Sequence, residues 1–151
     1  IYPLSLHDAL PICPGLASWL VVASAAVMFT LGALHLVLTL FGTRFHPRDV
    51  ALEARLRQVS PRISAQTTMW RAGIGFHASH SLGAMLFGLL FAHLAWFEDG
   101  LLWRSAFLPA VGAAALLAWL VLALRCWFRV PLIGIALAAG LYGAALISHA
   151  V

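Results

Sequence analysis

The sequence predicts an all-α integral membrane protein, a four-helix bundle with a short interfacial helix in its first cytoplasmic loop. Hydrophobic residues make up 63% of the chain and charged residues 9%, whereas a soluble domain has about 25% charged residues. Four long apolar stretches each approach or exceed the ~18–20 residues that cross a hydrocarbon layer as a helix. Arginine-bearing segments separate these stretches, as is typical of loops at a membrane surface.

Residues 1–13, IYPLSLHDALPIC, stand apart from the rest of the chain. Apart from Pro3, they match one reading frame of a common sequencing-adapter oligonucleotide. We therefore interpret them as a cloning or assembly scar rather than native sequence. His7, Asp8 and Cys13 accordingly receive no functional role, and where the native chain begins is left open.

Residues 14–151 are predicted to form one domain with four membrane spans. We place the spans at about 16–42, 73–97, 107–124 and 130–151, from the limits of the apolar stretches. Tryptophan supports these limits, because indole side chains prefer the headgroup layer of a bilayer. The tryptophans close to predicted span ends are Trp19, Trp70, Trp96, Trp103 and Trp127.

Small residues recur at four-residue steps in the second and fourth spans. Such stripes let helix backbones approach closely, which is a common way for membrane helices to associate. They predict a tight bundle and leave open whether they pack within one chain, against a second copy or against a partner subunit. The stripes are Gly75, Ser79 and Gly83; Ala84, Gly88 and Ala92; Ala136, Gly140 and Ala144; and Ala139 with Gly143.

The arginines predict the orientation of the spans. Eight of them lie in the loop 43–72 or in the link between the third and fourth spans, and the remaining loop holds only Arg104. By the positive-inside rule, the arginine-rich loops face the cytoplasm and both termini face outward. Since these arginines lie at the membrane surface, the expected partners are the bilayer and its anionic head groups, not nucleic acid.

The first cytoplasmic loop contains a predicted short helix over residues 47–60, PRDVALEARLRQVS. Pro47 suits a first helical turn, and Glu53 and Arg57 are spaced i,i+4, where opposite charges attract. Apolar residues cluster on one side and arginines on the rest. Two interpretations stay open: the helix lies in the inner interface with its arginines toward anionic lipid, or it is a solvated connector under the bundle.

Three intramembrane histidines provide the only chemistry that the spans suggest. No acidic residue lies well inside a span, and the chain has no glycine-rich phosphate loop. His35 is six residues from Phe41, about 9 Å from the inner span end at about 1.5 Å per residue. His77 and His80 lie at similar depth and share one face of the second span. Antiparallel packing of the first two spans would bring all three histidines level.

Two interpretations of the histidines involve no organic cofactor. In the first, they form interhelical hydrogen bonds that fix helix register, together with Thr39, Ser79 and Ser81. In the second, His35, His77 and His80 bind zinc or another divalent metal, for which imidazole is a suitable ligand. The sequence offers no obvious fourth ligand for such a metal.

A third interpretation is a b-type haem between the helices. His35 and one of His77 or His80 would be the axial ligands. Gly32 and Gly83 would leave room for the macrocycle. Two arginines near the inner span ends, Arg44 and Arg71, could pair with the propionates, or could instead hold an anionic lipid head group or a substrate phosphate.

Two runs of sequence carry a resemblance: FGTRFHPRD at 41–49 and SPRISAQTTMWRAGIGFHASHSLGAMLFG at 60–88. They resemble a family of small bacterial four-span membrane proteins to which no reaction is assigned, and the resemblance covers most of the chain after residue 15. In that family the residue after Phe76 is often Asn, whereas here it is His77; His80 and Ser81 match. The resemblance implies four helices in a bacterial cytoplasmic membrane.

The sequence therefore predicts a membrane protein without a definite activity. We expect a non-enzymatic scaffold or partner-binding protein. A haem-binding electron-transfer protein is one alternative, and a small transporter or lipid-interacting enzyme that uses the histidines and arginines is another. No residue is assigned a catalytic role.

Overall fold

The computed structural model describes residues 15–150, so the predicted scar lies outside the described part of the chain. Within that part, the regular structure is entirely helical. Four of the helices are long and apolar enough to cross a membrane, which confirms the predicted four-span helical bundle; they are Leu16–Phe41, Met69–Phe97, Phe107–Cys126 and Arg129–Ala150. In chain order the helices are α1 Leu16–Phe41, α2 Val50–Leu56, α3 Met69–Phe97, α4 Asp99–Trp103, α5 Phe107–Cys126 and α6 Arg129–Ala150.

The second span begins earlier than the apolar pattern predicts, at Met69 instead of Gly73. The Thr68 hydroxyl caps α3 by accepting a hydrogen bond from the Arg71 amide at 3.3 Å, and so satisfies one of the free N–H groups of the first turn. Trp70 and Arg71 therefore belong to the helix itself. Side chains of these types are stable in the headgroup layer, so the helix can extend beyond the apolar stretch.

The loop helix α2 is shorter than the predicted 47–60. Asp49 caps it by accepting from two amides of the first turn, at 2.8 and 3.2 Å. The prediction that Pro47 occupies the first turn is wrong, because the Asp49 cap fixes the start of the helix at Val50. No residue of α2 is buried, so the bundle does not depend on this helix for its core.

A second short helix, α4, follows α3 almost directly and was not predicted. Leu102 within it is fully buried, and the Trp103 ring stacks on His149 of α6 with ring centroids 4.1 Å apart. At the same end of the bundle, Trp19 and Trp96 meet edge to face at 4.7 Å. The tryptophans at this end thus hold helix ends together through aromatic contacts, in addition to suiting the headgroup layer.

Helix α1 is the central helix of the bundle. It packs along both α3 and α6, whereas α5 packs against α6. Two glycines set the distance between α1 and α3. A Cβ added at Gly32 would lie 2.7 Å from the carbonyl oxygen of Ser81, and one at Gly88 would lie 2.7 Å from that of Ala25. Only glycine allows the two backbones to approach this closely.

The predicted small-residue stripes lie only partly in helix interfaces. Ala84 and Gly88 are buried against α1, but a Cβ at Gly75 or Gly83 would meet no atom within 4 Å. In α6 the predicted stripe of Ala136, Gly140 and Ala144 is exposed. The side chains that α6 buries are instead Ile135, Ala138, Tyr142 and Ala145.

Two hydrogen bonds from side chains to backbone carbonyls join neighbouring long helices. Ser24 Oγ of α1 donates to the Ala138 carbonyl of α6 at 2.8 Å. The Tyr142 hydroxyl of α6 donates to the Pro109 carbonyl of α5 at 3.2 Å. Each donor is buried, and a polar group in a hydrocarbon layer needs such a partner within the protein.

The other hydroxyl groups of the spans do not act between helices. Thr39, Ser79 and Ser81 each donate to a carbonyl of their own helix, three or four residues earlier, at 2.7, 3.0 and 2.8 Å. The prediction that these three side chains fix interhelical register is therefore wrong. A carbonyl of the preceding turn is within reach of any serine or threonine on a helix, so it needs no neighbouring helix to satisfy the hydroxyl.

Helices α3 and α5 make almost no backbone contact with each other. Near the end of the bundle that carries α4, their side chains still meet, because Gly112 of α5 lets the rings of Tyr142 and Phe91 lie against it. Further along, Phe87 and Trp119 meet edge to face at 5.5 Å. Beyond this pair, toward the arginine-rich loops, the two helices leave a space between them.

We expect Gly88→Ala to destabilise the bundle, because the added methyl group would meet the Ala25 carbonyl and force α1 away from α3. Overpacking of this kind costs about 1–3 kcal/mol. The melting temperature of the protein in lipid nanodiscs measures the effect. Gly83→Ala is the matched control, since its methyl group enters open space; equal melting temperatures for the two variants would contradict the expectation.

Candidate ligand-binding site

A cavity of about 570 Å³ lies between the four long helices, at the end of the bundle that carries the arginine-rich loops. Its volume falls within the range of about 300–1,000 Å³ that is usual for small-molecule sites. The lining is mostly apolar and aromatic, with few polar groups. The polar and aromatic residues that matter most are His35, Phe45, His77, His80, Trp119 and Trp127.

The three intramembrane histidines meet in this cavity, as the depth argument predicted. His35 Nε2 of α1 and His77 Nδ1 of α3 are 3.2 Å apart, which is a hydrogen bond between the two helices. The His80 ring lies with its centroid 5.6 Å from that of His35. Antiparallel packing of α1 on α3 brings these side chains to one level, so the cluster follows directly from the central helix contact.

Aromatic side chains enclose the histidine cluster on two sides. Phe45, from the loop after α1, lies with its ring centroid 4.5 Å from His35 and 5.2 Å from His77. Trp127, from the link between α5 and α6, meets the His80 ring edge to face at 4.8 Å. The cluster is thus bounded by rings that come from two separate loops.

The His35–His77 contact restricts the protonation of the pair. A hydrogen bond between two ring nitrogens needs one donor and one acceptor, and an imidazolium has no acceptor, so at least one of the two rings is neutral. When both are neutral, either tautomer arrangement leaves one N–H and one bare nitrogen at the outer ends of the pair. The cluster can therefore offer both a donor and an acceptor to a molecule in the cavity.

The site fits a bound metal ion and a haem to different degrees. Among the described residues, no three histidine, cysteine, aspartate or glutamate side chains converge so that they could hold a metal ion. Of the two glycines expected to leave room for a macrocycle, Gly32 borders the cavity, although its side facing α3 is closed by that helix, and Gly83 is exposed and does not line the cavity. The space between α3 and α5 is the part of the site that could receive a large planar ligand.

Arg44 and Arg71 flank the site without lining it. Both are exposed, and within residues 15–150 neither lies within ion-pair distance of a carboxylate. Arg44 precedes Phe45, the ring against His35, and Arg71 lies in the first turn of α3. Both positions are compatible with contact to a phosphate or carboxylate at the membrane surface, outside the cavity.

A separate polar cluster fixes the arginine-rich loop to α3. Glu53 pairs with Arg57 at 2.7 Å, as predicted from their spacing, and with His46 at 3.3 Å. The Arg57 guanidinium lies 4.1 Å from the centroid of the Trp70 ring, a cation–π contact, and His46 meets the same ring edge to face. Because His46 directly follows Phe45, this cluster also restrains the ring that covers His35.

The electrostatics of this loop cluster favour an ionised Glu53. The hydrogen bond from Arg57 lowers the pKa of the Glu53 carboxyl, and the charges of His46 and Arg57 lower it further. The carboxylate is the form that accepts these bonds, so the cluster is held together while Glu53 is ionised.

Comparison of the chain with family models, with curated proteins and with solved structures finds no match. The geometry of the site is therefore the basis for the function proposed below.

Several residues of the site were not predicted. Phe45 belongs to a loop, and Trp119 looked like an ordinary apolar residue of the third span. Trp127 was predicted to anchor the headgroup layer, but it also lines the cavity beside His80. A signal for Phe45 was present in the sequence, since an aromatic residue lies next to His46, ten residues after His35. No local pattern, however, shows that a loop folds back over a helix.

A double-mutant cycle tests the bond between α1 and α3. We expect His35→Leu and His77→Leu each to lower stability, with a coupling energy of about 0.5–1.5 kcal/mol, the usual net contribution of one hydrogen bond. His80→Leu serves as the control, because within the described residues the His80 ring takes part in no side-chain hydrogen bond, unlike His35 and His77. Additive losses for the two variants would show that the rings do not interact.

The loop cluster should depend on pH in the acid range. The lowered pKa of Glu53 means that its contribution is fully present above the ordinary value of 4.5 and is lost as the pH falls through the lowered value. The NMR signal of the Arg57 Nε–H, which donates to Glu53 at 3.1 Å, should therefore shift with a midpoint below 4.5. A midpoint at or above the ordinary value, or a transition that persists in Glu53→Gln, would contradict this assignment.

Proposed function

We propose that this chain is a non-catalytic membrane protein that binds a lipid-soluble ligand in the cavity between its four spans. The observation that supports this most directly is the placement of the histidine cluster inside a largely apolar cavity. Sites for small molecules typically combine an apolar lining with a few convergent polar groups. A scaffold whose histidines only fixed helix register would need no such space.

The surroundings of the cavity favour entry from the lipid phase. Several lining side chains are exposed at its edge, among them Leu34, Phe76, Phe128 and Val130. Exposed apolar side chains at the mouth of a site suit a ligand that partitions into the bilayer rather than into water. In the described part of the chain, no acidic residue contributes to the lining. The site there lacks the paired carboxylates of many hydrolytic enzymes, and we propose binding rather than catalysis.

Haem is a second candidate, supported by the separation of two imidazoles on facing helices. The His35 and His80 ring centroids are 5.6 Å apart on α1 and α3, and imidazole is a standard axial ligand. Because Nε2 of His35 is bonded to His77, His35 would ligate the iron either through its free Nδ1 or after this bond opens. Absorbance of the protein purified after haem-replete expression decides this candidate: the lack of a Soret band excludes it.

We further propose that the arginine-rich end faces the cytoplasm of a bacterium and contacts anionic head groups, as the positive-inside rule and the family resemblance imply. In a background of Cys13→Ser and Cys126→Ser, a Ser105→Cys variant should react with an impermeant maleimide added to intact spheroplasts. Ser60→Cys should react only after the membrane is permeabilised. Labelling of Ser60→Cys in intact spheroplasts would reverse the orientation.

Narrowing the mouth of the cavity should block ligand binding. Cys126 lines the cavity and is a free, exposed thiol, so its alkylation in a Cys13→Ser background reports occupancy. Adding the neutral lipid extract of a bacterial membrane to delipidated protein should slow alkylation, by about tenfold when the ligand is at ten times its Kd. Leu34→Trp, which places a larger side chain at the edge of the cavity, should restore the alkylation rate of Cys126 in the presence of the extract.

Leu40→Trp is the matched control for that experiment. It makes the same substitution on the same helix at similar exposure, 51% against 57%, but outside the cavity. Protection lost equally in both variants, or absent from the unmutated protein, would contradict the proposed function.

A further inference from the structure

We infer that the ligand of the cavity belongs to the quinone and quinol class: a planar ring with carbonyl or hydroxyl groups and a long apolar tail. This inference rests on the proposed function and names its ligand. Three features of the site support the quinone assignment: the uncharged polar groups, the aromatic enclosure and the open side between α3 and α5.

The polar groups of the cavity suit a neutral ligand that both accepts and donates hydrogen bonds. The His35–His77 pair leaves one donor and one acceptor at its outer ends, as its geometry requires when both rings are neutral. The His80 ring lines the same cavity and adds a further donor and acceptor. A ring carbonyl can accept from an imidazole N–H, and a ring hydroxyl can donate to a bare ring nitrogen, so both oxidation states of the ligand find partners.

The absence of arginine from the lining argues against an anionic ligand. Among residues 15–150, none that lines the cavity is an arginine or a lysine, and a buried carboxylate without a paired cation is costly. A fatty acid anion would therefore bind poorly, and the propionates of a haem would have to lie outside the cavity, near Arg44. A quinone ring carries no charge and avoids this cost.

The walls of the site favour a flat ring. Phe45 stacks on the His77 ring with an interplanar angle of 21°, while Trp119 and Trp127 stand nearly perpendicular to the His80 ring, at 78° and 72°. Aromatic side chains bind other rings by offset stacking or edge-to-face contact. A planar head group can use both kinds of contact here, whereas a flexible acyl chain gains nothing from ring geometry.

The tail of such a ligand has a route into the bilayer. Helices α3 and α5 make almost no backbone contact, and the cavity edge carries Phe76 of α3, exposed to 77%, and Val130 of α6, exposed to 67%. A tail that leaves between these apolar side chains stays in hydrocarbon. The head group is then held at the depth of the histidines, without removal of the whole molecule from the membrane.

The experiment compares probes that differ only in their head groups. Cys13→Ser protein is delipidated and then reconstituted into nanodiscs of a single defined phospholipid. It is titrated with a decyl benzoquinone that is substituted at every ring position, so that it cannot add to thiols, and with decylbenzene and decanoate. The rate of Cys126 alkylation gives a Kd for each probe. We expect the quinone to bind at least about tenfold more tightly than decylbenzene, which corresponds to about 1.4 kcal/mol, and decanoate to bind most weakly.

Variants connect this preference to the histidines. His35→Phe and His80→Phe should each reduce the preference for quinone over decylbenzene, while His93→Phe, an exposed histidine of α3 outside the cavity, should leave it unchanged. His35→Gln, which keeps a donor and an acceptor, should retain part of it. Circular dichroism confirms folding, and the comparison of probes on the unmutated protein holds even if a variant does not fold.

The outcomes separate this inference from the proposed function. Equal protection by quinone and decylbenzene, unaffected by the histidine variants, would overturn the quinone assignment while leaving a ligand-binding cavity. Stronger binding of decanoate than of the quinone would also overturn the assignment, because it would show that an anion is accepted. Protection by none of the probes, and none by the neutral lipid extract, would refute both proposals.

Discussion

The close approach of α1 to α3 determines most of the structure. Two glycines, Gly32 and Gly88, place each helix backbone against a carbonyl oxygen of the other. Lipid gives helices no hydrophobic reason to associate, so van der Waals contact of this quality is a main source of helix pairing in a membrane. Once the two helices lie together in antiparallel directions, the depth of every side chain on one is fixed relative to the other. One result is that the three histidines lie at the same depth in the bundle.

The cavity is a consequence of how the remaining helices attach. Helix α6 packs on α1, and α5 packs on α6, so α5 reaches α3 only through side chains. Gly112 permits that contact near α4, where the Tyr142 hydroxyl bonds to the Pro109 carbonyl. No comparable glycine of α5 lies near the arginine-rich loops, and there the bulky rings of Trp119 and Trp127 border an open space instead of closing it.

Much of the fold follows from the sequence, because the requirement to fill a hydrocarbon layer with helix is simple. Length and composition predict the four spans, and a rise of about 1.5 Å per residue is enough to predict that His35 lies level with His77. The choice among small-residue stripes is not predictable in this way. Gly75 and Gly88 belong to equally regular stripes, yet only Gly88 meets another helix, since helix rotation depends on the packing of the whole bundle.

The cavity itself could not be predicted for a related reason. It exists because two helices that are separate in the chain fail to pack, and a local pattern describes what a helix offers, not what its neighbour leaves empty. The fold of the loop over the histidines is likewise decided by distant residues. Phe45 is held where it is by its neighbour His46, which pairs with Glu53 and meets the Trp70 ring.

The hydroxyl groups that bond to their own helices affect how the protein is made. Thr30, Thr39, Ser79 and Ser81 donate to carbonyls of the preceding turn, so their polar groups are satisfied before any second helix arrives. Each span can therefore leave the translocation machinery and enter lipid by itself, in keeping with assembly in two stages. Ser24, Tyr142 and the His35–His77 pair gain their side-chain partners only on assembly. These groups would then be the last to be shielded from water and headgroups during biogenesis.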